Sequence, residues 1–124
     1  MILGESGAGK SDLALRLIDR GALLVADDYT RLDPRGTSLL ASAPPTIAGR
    51  IEIRGLGIIP TQHVNDVPVA LAIRLAAPSG TVIERMPERA TELFAGLPVR
   101  VLFLDPHPAS APLLVEHALR HDLP

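Results

Sequence analysis

The stretch Gly4-Glu5-Ser6-Gly7-Ala8-Gly9-Lys10-Ser11 decides how the rest of this chain folds. It matches every defined position of the phosphate-binding pattern G-x-x-x-x-G-K-[ST]. An apolar strand end, residues 1–3, precedes it, and an amphipathic run, residues 12–20, follows it. A strand, a glycine-rich turn and a helix in this order predict an α/β protein with a phosphate-binding loop.

Physical chemistry gives each residue type in this loop a role. Glycine tolerates positive φ, so main-chain N–H groups can face inward, and the following helix adds the positive end of its dipole. Lys10 suits the β- and γ-phosphates, and the Ser11 hydroxyl suits Mg²⁺. A turn that merely starts a helix is the alternative, but it does not explain why the one lysine of the chain stands here. The candidate nucleotide-binding residues are Gly4, Glu5, Ser6, Gly7, Ala8, Gly9, Lys10 and Ser11.

Length and composition limit the classes of protein to which this chain can belong. A chain of 124 residues that is 47% hydrophobic predicts one domain, residues 1–124, with a real core. With 12 basic and 14 acidic side chains, its net charge of −2 gives no electrostatic reason to expect nucleic acid or an anionic membrane as a partner. The absence of cysteine excludes disulfides and thiolate metal sites, and no apolar stretch is long enough to span a bilayer. We therefore expect a cytoplasmic protein.

Hydrophobic periodicity predicts short strands and helices after the loop, arranged as an α/β sandwich with a mixed sheet. A turn tetrapeptide, Asp33-Pro34-Arg35-Gly36, predicts a hairpin over residues 29–41. The other predicted elements are a helix over 11–20, strands over 22–26, 50–60, 67–76, 81–84 and 99–104, a loop over 77–80, a short helix or mobile loop over 88–97, and a closing helix over 113–121.

Three acidic side chains are candidates for chemistry beside the loop. Asp27 and Asp28 follow the predicted buried strand over 22–26, and strand ends are where ligand sites form in α/β proteins. A carboxylate there either handles Mg²⁺ or takes the proton of an attacking hydroxyl, whereas the alternative is an Asx turn that ends the strand. Glu52 alternates with Ile51 and Ile53, so it points to the face opposite theirs, where most carboxylates are only solvated.

Four basic side chains are also candidates for phosphate or metal binding. Arg54 and Arg85 are candidates to neutralise a transferring phosphate, because a guanidinium binds phosphate in bidentate fashion, although most surface arginines are only solvated. His117 and His121 are four residues apart on the predicted last helix, a spacing that suits a metal. No third ligand accompanies them, so we expect a solvent-facing pair.

Three blocks together resemble the catalytic domain of HPr kinase/phosphorylase. They are the loop over residues 4–11, then Leu24-Val25-Ala26-Asp27-Asp28, then Glu52-Ile53-Arg54-Gly55-Leu56-Gly57-Ile58-Ile59. The last block is the most specific, because it is a signature of that family and not of phosphate-loop proteins in general. The order and approximate separations of the blocks also match the family.

The resemblance implies a bifunctional, ATP- and Mg²⁺-dependent enzyme. Such an enzyme phosphorylates a serine of HPr, the phosphocarrier protein of the sugar phosphotransferase system, and can remove that phosphate again. The resemblance implies a phosphate-loop fold akin to phosphoenolpyruvate carboxykinase and a homo-hexamer. By residue, it implies that Lys10 grips the β- and γ-phosphates and that Ser11 and Glu52 hold Mg²⁺. Asp28 stays a further metal candidate because of its place at the end of the predicted strand. The resemblance also implies that Asp27 accepts the serine proton and that Arg85 aligns with a catalytic arginine.

The sequence also departs from the family pattern. The family has a catalytic histidine upstream of the loop, and its longer members have an N-terminal domain; neither is found in this sequence. Residues 1–3 alone precede Gly4, whereas strands usually run about five or six residues, so the first strand is either short or clipped. The segment linked to dephosphorylation should fall near Val99-Arg100-Val101, yet Leu102-Phe103-Leu104 follows in place of Gly-Arg-Asn. We therefore expect the short, kinase-domain-only form, with phosphorylase activity in doubt.

Other functions remain open from the residues alone. A nucleotide-sensing module would bind ATP without transferring phosphate, which the absent upstream histidine and the short first strand favour. A small-molecule kinase would need a lid, and no basic lid segment is apparent. A structural subunit with a relic loop is disfavoured, because the loop is intact and keeps Lys10.

Overall fold

A computed structural model of the chain describes residues 1–75 and 83–121. The predicted loop over 77–80 and the first half of the predicted strand over 81–84 lie outside these residues. The described elements are β1 (Ile2–Leu3), α1 (Lys10–Asp19), β2 (Arg31–Arg35), β3 (Ser38–Ser42), β4 (Arg50–Ile53), β5 (Gly57–Pro60), β6 (Val67–Pro68), β7 (Ala72–Leu75), β8 (Ala90–Phe94), β9 (Leu97–Leu104) and α2 (Ala111–Arg120).

The main sheet has the strand order β1-β7-β9-β8, in which β1, β7 and β9 are parallel and β8 is antiparallel. Its ladder extends to the first residue, because the main-chain N–H of Ile73 donates to the carbonyl of Met1 at 2.7 Å. The expected mixed α/β sheet is confirmed. Since β1 and β9 are parallel to the same strand, the segments that follow them leave from one edge of the sheet.

Two smaller sheets accompany the main one, with the order β2-β3-β6 and the pair β4-β5. The predicted hairpin over 29–41 exists, but its turn lies later than predicted, because Arg35 pairs with Ser38 and Gly36 adopts φ 61°. A two-residue connection needs such positive φ. Pro34 is accommodated inside β2 because β2 is an edge strand.

The main sheet is packed on both faces. Helices α1 and α2 cover one face, where Leu13 and Ile73 are almost wholly buried with Leu104 and Val115. Strand β3 covers the other face through Leu39, against the buried cluster Ala72, Val99 and Val101. Burying a leucine or isoleucine completely contributes about 1.5–3 kcal/mol, so these contacts fix the position of β1 and of the loop after it.

Several predicted elements are wrong. Residues 22–26 form no strand and make one isolated bridge, between Leu24 and His63. The segment predicted as a short helix or mobile loop over 88–97 contains β8, which pairs with β9 through a turn at Ala95 and Gly96, both at positive φ. Whether a segment forms a strand depends on the strand that it pairs with, and the local sequence of residues 22–26 or 88–97 does not identify that partner.

Other elements differ in extent. The single strand predicted over 67–76 is divided into β6 and β7, which belong to different sheets, and the strand predicted over 50–60 is the hairpin β4-β5. The two predicted helices are confirmed, with shifted ends. Across the described residues, no helix has the length and apolar character needed to cross a bilayer.

Candidate functional site

The glycine-rich loop, residues 4–11, connects β1 to α1. Gly7 and Gly9 adopt φ 83° and 103°, a region of positive φ that residues with a Cβ enter only at a cost in free energy. Gly9 is the residue that caps α1, and no side chain caps the helix there. The N-terminal main-chain groups of α1 are therefore left for another acceptor.

Main-chain donors converge in this loop. Within residues 1–75 and 83–121, no acceptor is found for the N–H groups of Gly7, Gly9, Lys10 and Ser11, whereas the N–H of Ala8 donates to the carbonyl of Glu5 at 3.0 Å. Free N–H groups at the N-terminus of a helix form an anion-binding concavity, and the helix dipole strengthens it. This geometry suits phosphate oxygens.

The ammonium group of Lys10 lies inside the same loop. Its Nζ donates to the carbonyl oxygens of Gly4 at 2.6 Å and Glu5 at 3.0 Å. Lysine carries three N–H donors, so at least one remains for a ligand. The positive charge is thus held beside the N–H groups that the loop presents.

Asp27 reaches the site although the strand predicted to carry it is absent. Its Oδ2 accepts a hydrogen bond from the main-chain N–H of Glu52 at 2.8 Å, which joins residues 22–28 to β4. The carbonyl of Asp27 also accepts from the N–H of Tyr29 at 2.6 Å, and Asp28 between them adopts φ 55°. The chain therefore turns sharply at Asp28, and its two neighbours are held by hydrogen bonds.

Lys10 and Ser11 share a cavity of about 390 Å³ with Asp27 and Asp28. The rest of its wall is mainly apolar and comes from α1, residues 22–26 and residues 67–71. Residues that carry an ammonium group, a hydroxyl and two carboxylates thus line one cavity, and two of them, Lys10 and Ser11, also have main-chain N–H groups with no acceptor among the described residues. This combination can bind a polyphosphate and hold a proton acceptor near it.

The other predicted site residues lie farther out. The side chain of Glu52 is exposed and is absent from the cavity wall, although its main chain holds Asp27. Arg54 is exposed in the turn of the β4-β5 hairpin. Arg85 is exposed in the bend before β8, on the edge of the sheet from which the loop also leaves, because β8 runs antiparallel to β9.

His117 and His121 lie at the end of α2 with both side chains exposed. Their rings are stacked, with centroids 6.0 Å apart and an interplanar angle of 12°. In the part of the chain that the structure describes, no group of three or more His, Cys, Asp or Glu side chains could hold a metal ion. The pair is far along the chain from the loop.

Sequence reasoning missed a second segment at this edge, residues 105–108, which follows β9. The ring of Pro106 lies against Gly9, since a Cβ built on Gly9 would be 3.2 Å from Pro106 Cγ. Arg16 of α1 donates to the carbonyls of Pro106 and Pro108, the latter at 3.2 Å. A polar residue directly after a buried strand, here Asp105, was the signal available in the sequence.

Asp105 and His107 interact within this segment. Oδ1 of Asp105 accepts from the main-chain N–H of His107 at 3.0 Å and lies 2.7 Å from its Nδ1. The main-chain hydrogen bond, followed by the ring contact, lowers the pKa of Asp105 below its ordinary value of 3.8. The carboxylate is thus ionised at neutral pH and remains a hydrogen-bond acceptor.

Comparisons with known proteins give a consistent result for the chain. The family model of the HPr serine kinase C-terminal domain matches residues 1–74. HPr kinase/phosphorylase of Bordetella petrii is 35% identical over 99% of this chain, and that of Clostridium tetani is 43% identical over 60%. The solved structure of the HPr(Ser) kinase/phosphatase from Coxiella burnetii has a TM-score of 0.84 and 35% identity, and the match covers 96% of this chain and 83% of that one.

The matches cover only part of the longer relatives. The aligned region spans 44% of the Bordetella petrii protein and 24% of the Clostridium tetani protein. The region that the family model matches, residues 1–74, contains the whole of the glycine-rich loop and residues 22–60.

Proposed function

Because this chain belongs to the HPr serine kinase C-terminal domain family, we propose that it is a protein serine kinase that uses ATP to phosphorylate an HPr-like phosphocarrier protein. The observation that carries the proposal is the cavity shared by Lys10, Ser11, Asp27 and Asp28 beside the unpaired N–H groups of the loop. Membership of the family gives the reaction class, and the cavity supplies residues suited to each part of it.

The loop would bind the triphosphate of ATP. Its N–H groups and Lys10 offer hydrogen bonds and positive charge to non-bridging phosphate oxygens, which is where negative charge is spread during transfer. Arg54 and Arg85 are proposed to add charge once both substrates are bound. Both are exposed and lie outside the cavity, so their contribution depends on the arrival of the substrates.

The oxygen donors of Ser11, Asp28 and Glu52 fit a hard divalent cation such as Mg²⁺. A protein-only cluster is absent from the described residues, and Mg²⁺ does not need one, because one or two carboxylates and substrate phosphates commonly complete its shell. When bound, Mg²⁺ supplies neutralisation of charge on the phosphate oxygens. Ser11 lies on the cavity, and the main chain of Glu52 is hydrogen-bonded to Asp27, a residue of the cavity wall.

Asp27 is proposed as the base. Its Oδ2 is engaged by the N–H of Glu52, which fixes the carboxylate and leaves Oδ1 to accept the proton of the serine hydroxyl. In the transfer step the serine oxygen bonds to the γ-phosphorus, and the bond from that phosphorus to the β–γ bridging oxygen breaks. The proton goes to Asp27, and ADP leaves.

The family resemblance suggests further properties, which we also propose. They are a phosphate-loop fold akin to phosphoenolpyruvate carboxykinase, one domain over residues 1–124, a homo-hexamer and a cytoplasmic location. We propose that phosphorylase activity is weak, because residues 99–104, near which the dephosphorylation segment should fall, form the C-terminal part of β9. Val99, Val101 and Leu104 are buried there.

A transfer assay tests this function. The chain is incubated with γ-labelled ATP, Mg²⁺ and purified HPr, and the labelled residue is identified by mass spectrometry. Label on an HPr serine supports the kinase. If the chain binds ADP yet leaves HPr unlabelled, it is a nucleotide sensor and the proposal is wrong.

A further inference from the structure

Residues 105–108 are fixed against the glycine-rich loop by two independent contacts. Pro106 packs on Gly9, the residue that caps α1, with 3.2 Å between its Cγ and a Cβ built on that glycine. Arg16, less than two turns into α1, donates to the carbonyls of Pro106 and Pro108. These carbonyls flank His107, so the helix that presents its N-terminus to the loop also holds the backbone of His107.

Asp105 fixes the imidazole ring of His107. A carboxylate can only accept hydrogen bonds, so the 2.7 Å contact to Oδ1 requires that Nδ1 of His107 carries the hydrogen. Nε2 is then the free ring nitrogen. The side chain of His107 is 69% exposed, which leaves this nitrogen open to a ligand.

We propose that His107 is a further phosphate-contacting residue of the site and that Asp105 is its positioning residue. In the imidazolium form, Nε2–H donates a hydrogen bond to a non-bridging phosphate oxygen of the nucleotide bound in the loop. That the ligand is ATP rests on the proposed function. That His107 faces a phosphate rests on the contacts of Pro106 and Arg16.

This arrangement adds a cation that the sequence motif does not contain. The loop itself supplies one ammonium group, from Lys10. A charge-assisted hydrogen bond from His107 would strengthen binding of the phosphate and add to the positive charge near the transferring group. A different explanation is that Asp105 simply ends β9 with an Asx turn, in which case the ring of His107 contacts Asp105 and no ligand.

Titration with Mg-ADP, observed through the histidine ring signals in NMR, separates these explanations without requiring any transfer. We expect the Cε1–H signal of His107 to shift as Mg-ADP saturates the chain, and those of His117 and His121 to stay. The His107→Gln variant assigns the signal. If the His107 signal does not move while main-chain N–H signals of the glycine-rich loop, recorded in the same titration, respond to Mg-ADP, the inference is overturned.

Kinetics give the second test. His107→Ala should raise the KM for ATP about tenfold, as expected for one charge-assisted hydrogen bond, and His107→Gln, which keeps a neutral donor, should restore part of it. Asp105→Ala removes the acceptor for Nδ1–H, so it should resemble His107→Ala, whereas Asp105→Asn keeps an acceptor oxygen and should raise KM less. His117→Ala is the control and should match the wild type.

The outcomes distinguish the two proposals. If the wild-type chain transfers phosphate and none of the His107 or Asp105 variants changes KM, the inference fails and the kinase stands. If the wild-type chain never labels HPr, the kinase fails, and the NMR titration together with the Mg-ADP affinity of His107→Ala decides the inference alone.

Discussion

Oδ2 of Asp27 accepts a hydrogen bond from the main-chain N–H of Glu52 at 2.8 Å. The two residues are separated by 25 positions in the chain, and this contact brings them together beside the loop. It restrains the carboxylate of Asp27 without using both of its oxygens. A base that must accept a proton in one orientation benefits from such a restraint.

The shape of the glycine-rich loop predicts that alanine at Gly9 and alanine at Gly21 have very different effects on nucleotide affinity. Gly9→Ala must adopt φ near 103° and would place its Cβ against Pro106, so we expect the Kd for Mg-ADP to rise about tenfold or more. Gly21→Ala is a matched control, because Gly21 has φ 104° and nothing within 4 Å of its Cβ position. Isothermal titration measures both. Equal losses of affinity would contradict the assigned role of the loop.

The close contact between Gly49 and His63 predicts that a substitution at Gly49 lowers the stability of the fold. A Cβ on Gly49 would lie 2.7 Å from Nδ1 of His63, and Gly49 has φ 72°. Gly49→Ala should therefore lower the free energy of unfolding by more than the roughly 1–2 kcal/mol that backbone strain alone would cost. Gly36→Ala, at φ 61° with open space, should cost only that strain. Chemical denaturation measures both.

The Gly49 variant should also slow phosphoryl transfer. His63 is bridged to Leu24, and residues 22–28 carry Asp27. A displaced His63 would therefore move the segment that positions the base. If the two glycine variants lose the same free energy of unfolding, the close contact between Gly49 and His63 is not present in solution.

A salt bridge between the two helices predicts a pH dependence of stability. Hydrogen bonds from Arg20 of α1 hold the pKa of Glu116 in α2 below its ordinary value of 4.5. A lowered folded-state pKa means that the stabilisation is present above the unfolded value and is lost as the pH falls through the folded one. A double-mutant cycle with Arg20→Gln and Glu116→Gln should show coupling at pH 7 that declines below about pH 4.5. Coupling that persists to low pH would argue against the ion pair.

The loop and its helix could be predicted because local rules determine them. The pattern fixes where the glycines stand, and α1 begins one residue before the predicted start. Sheet pairing could not be read in the same way, since it depends on distant partners. Residues 22–26 are apolar because they line a cavity, and Ala90–Phe94 form a strand because Ala95 and Gly96 turn the chain back along β9.

The site was predictable to the extent that it follows a motif. Lys10 and Ser11 follow from the loop pattern, and Asp27 and Asp28 reach the same cavity although the strand expected before them is absent. The hydrogen bond from Glu52 to Asp27 is made by the main chain, which carries no sequence signal. The contact of Pro106 with Gly9 likewise appears only when β1 and β9 are placed in one sheet.

The most direct measurement is phosphoryl transfer to HPr by Asp27→Asn, made in parallel with its affinity for Mg-ADP. The asparagine keeps an oxygen for the N–H of Glu52 but no longer accepts a proton, so we predict a rate reduced about 10²–10⁴-fold with affinity within about threefold of the wild type. Asp33→Asn, an exposed change in β2, is the control. An Asp27→Asn variant that phosphorylates HPr at the wild-type rate would contradict the account.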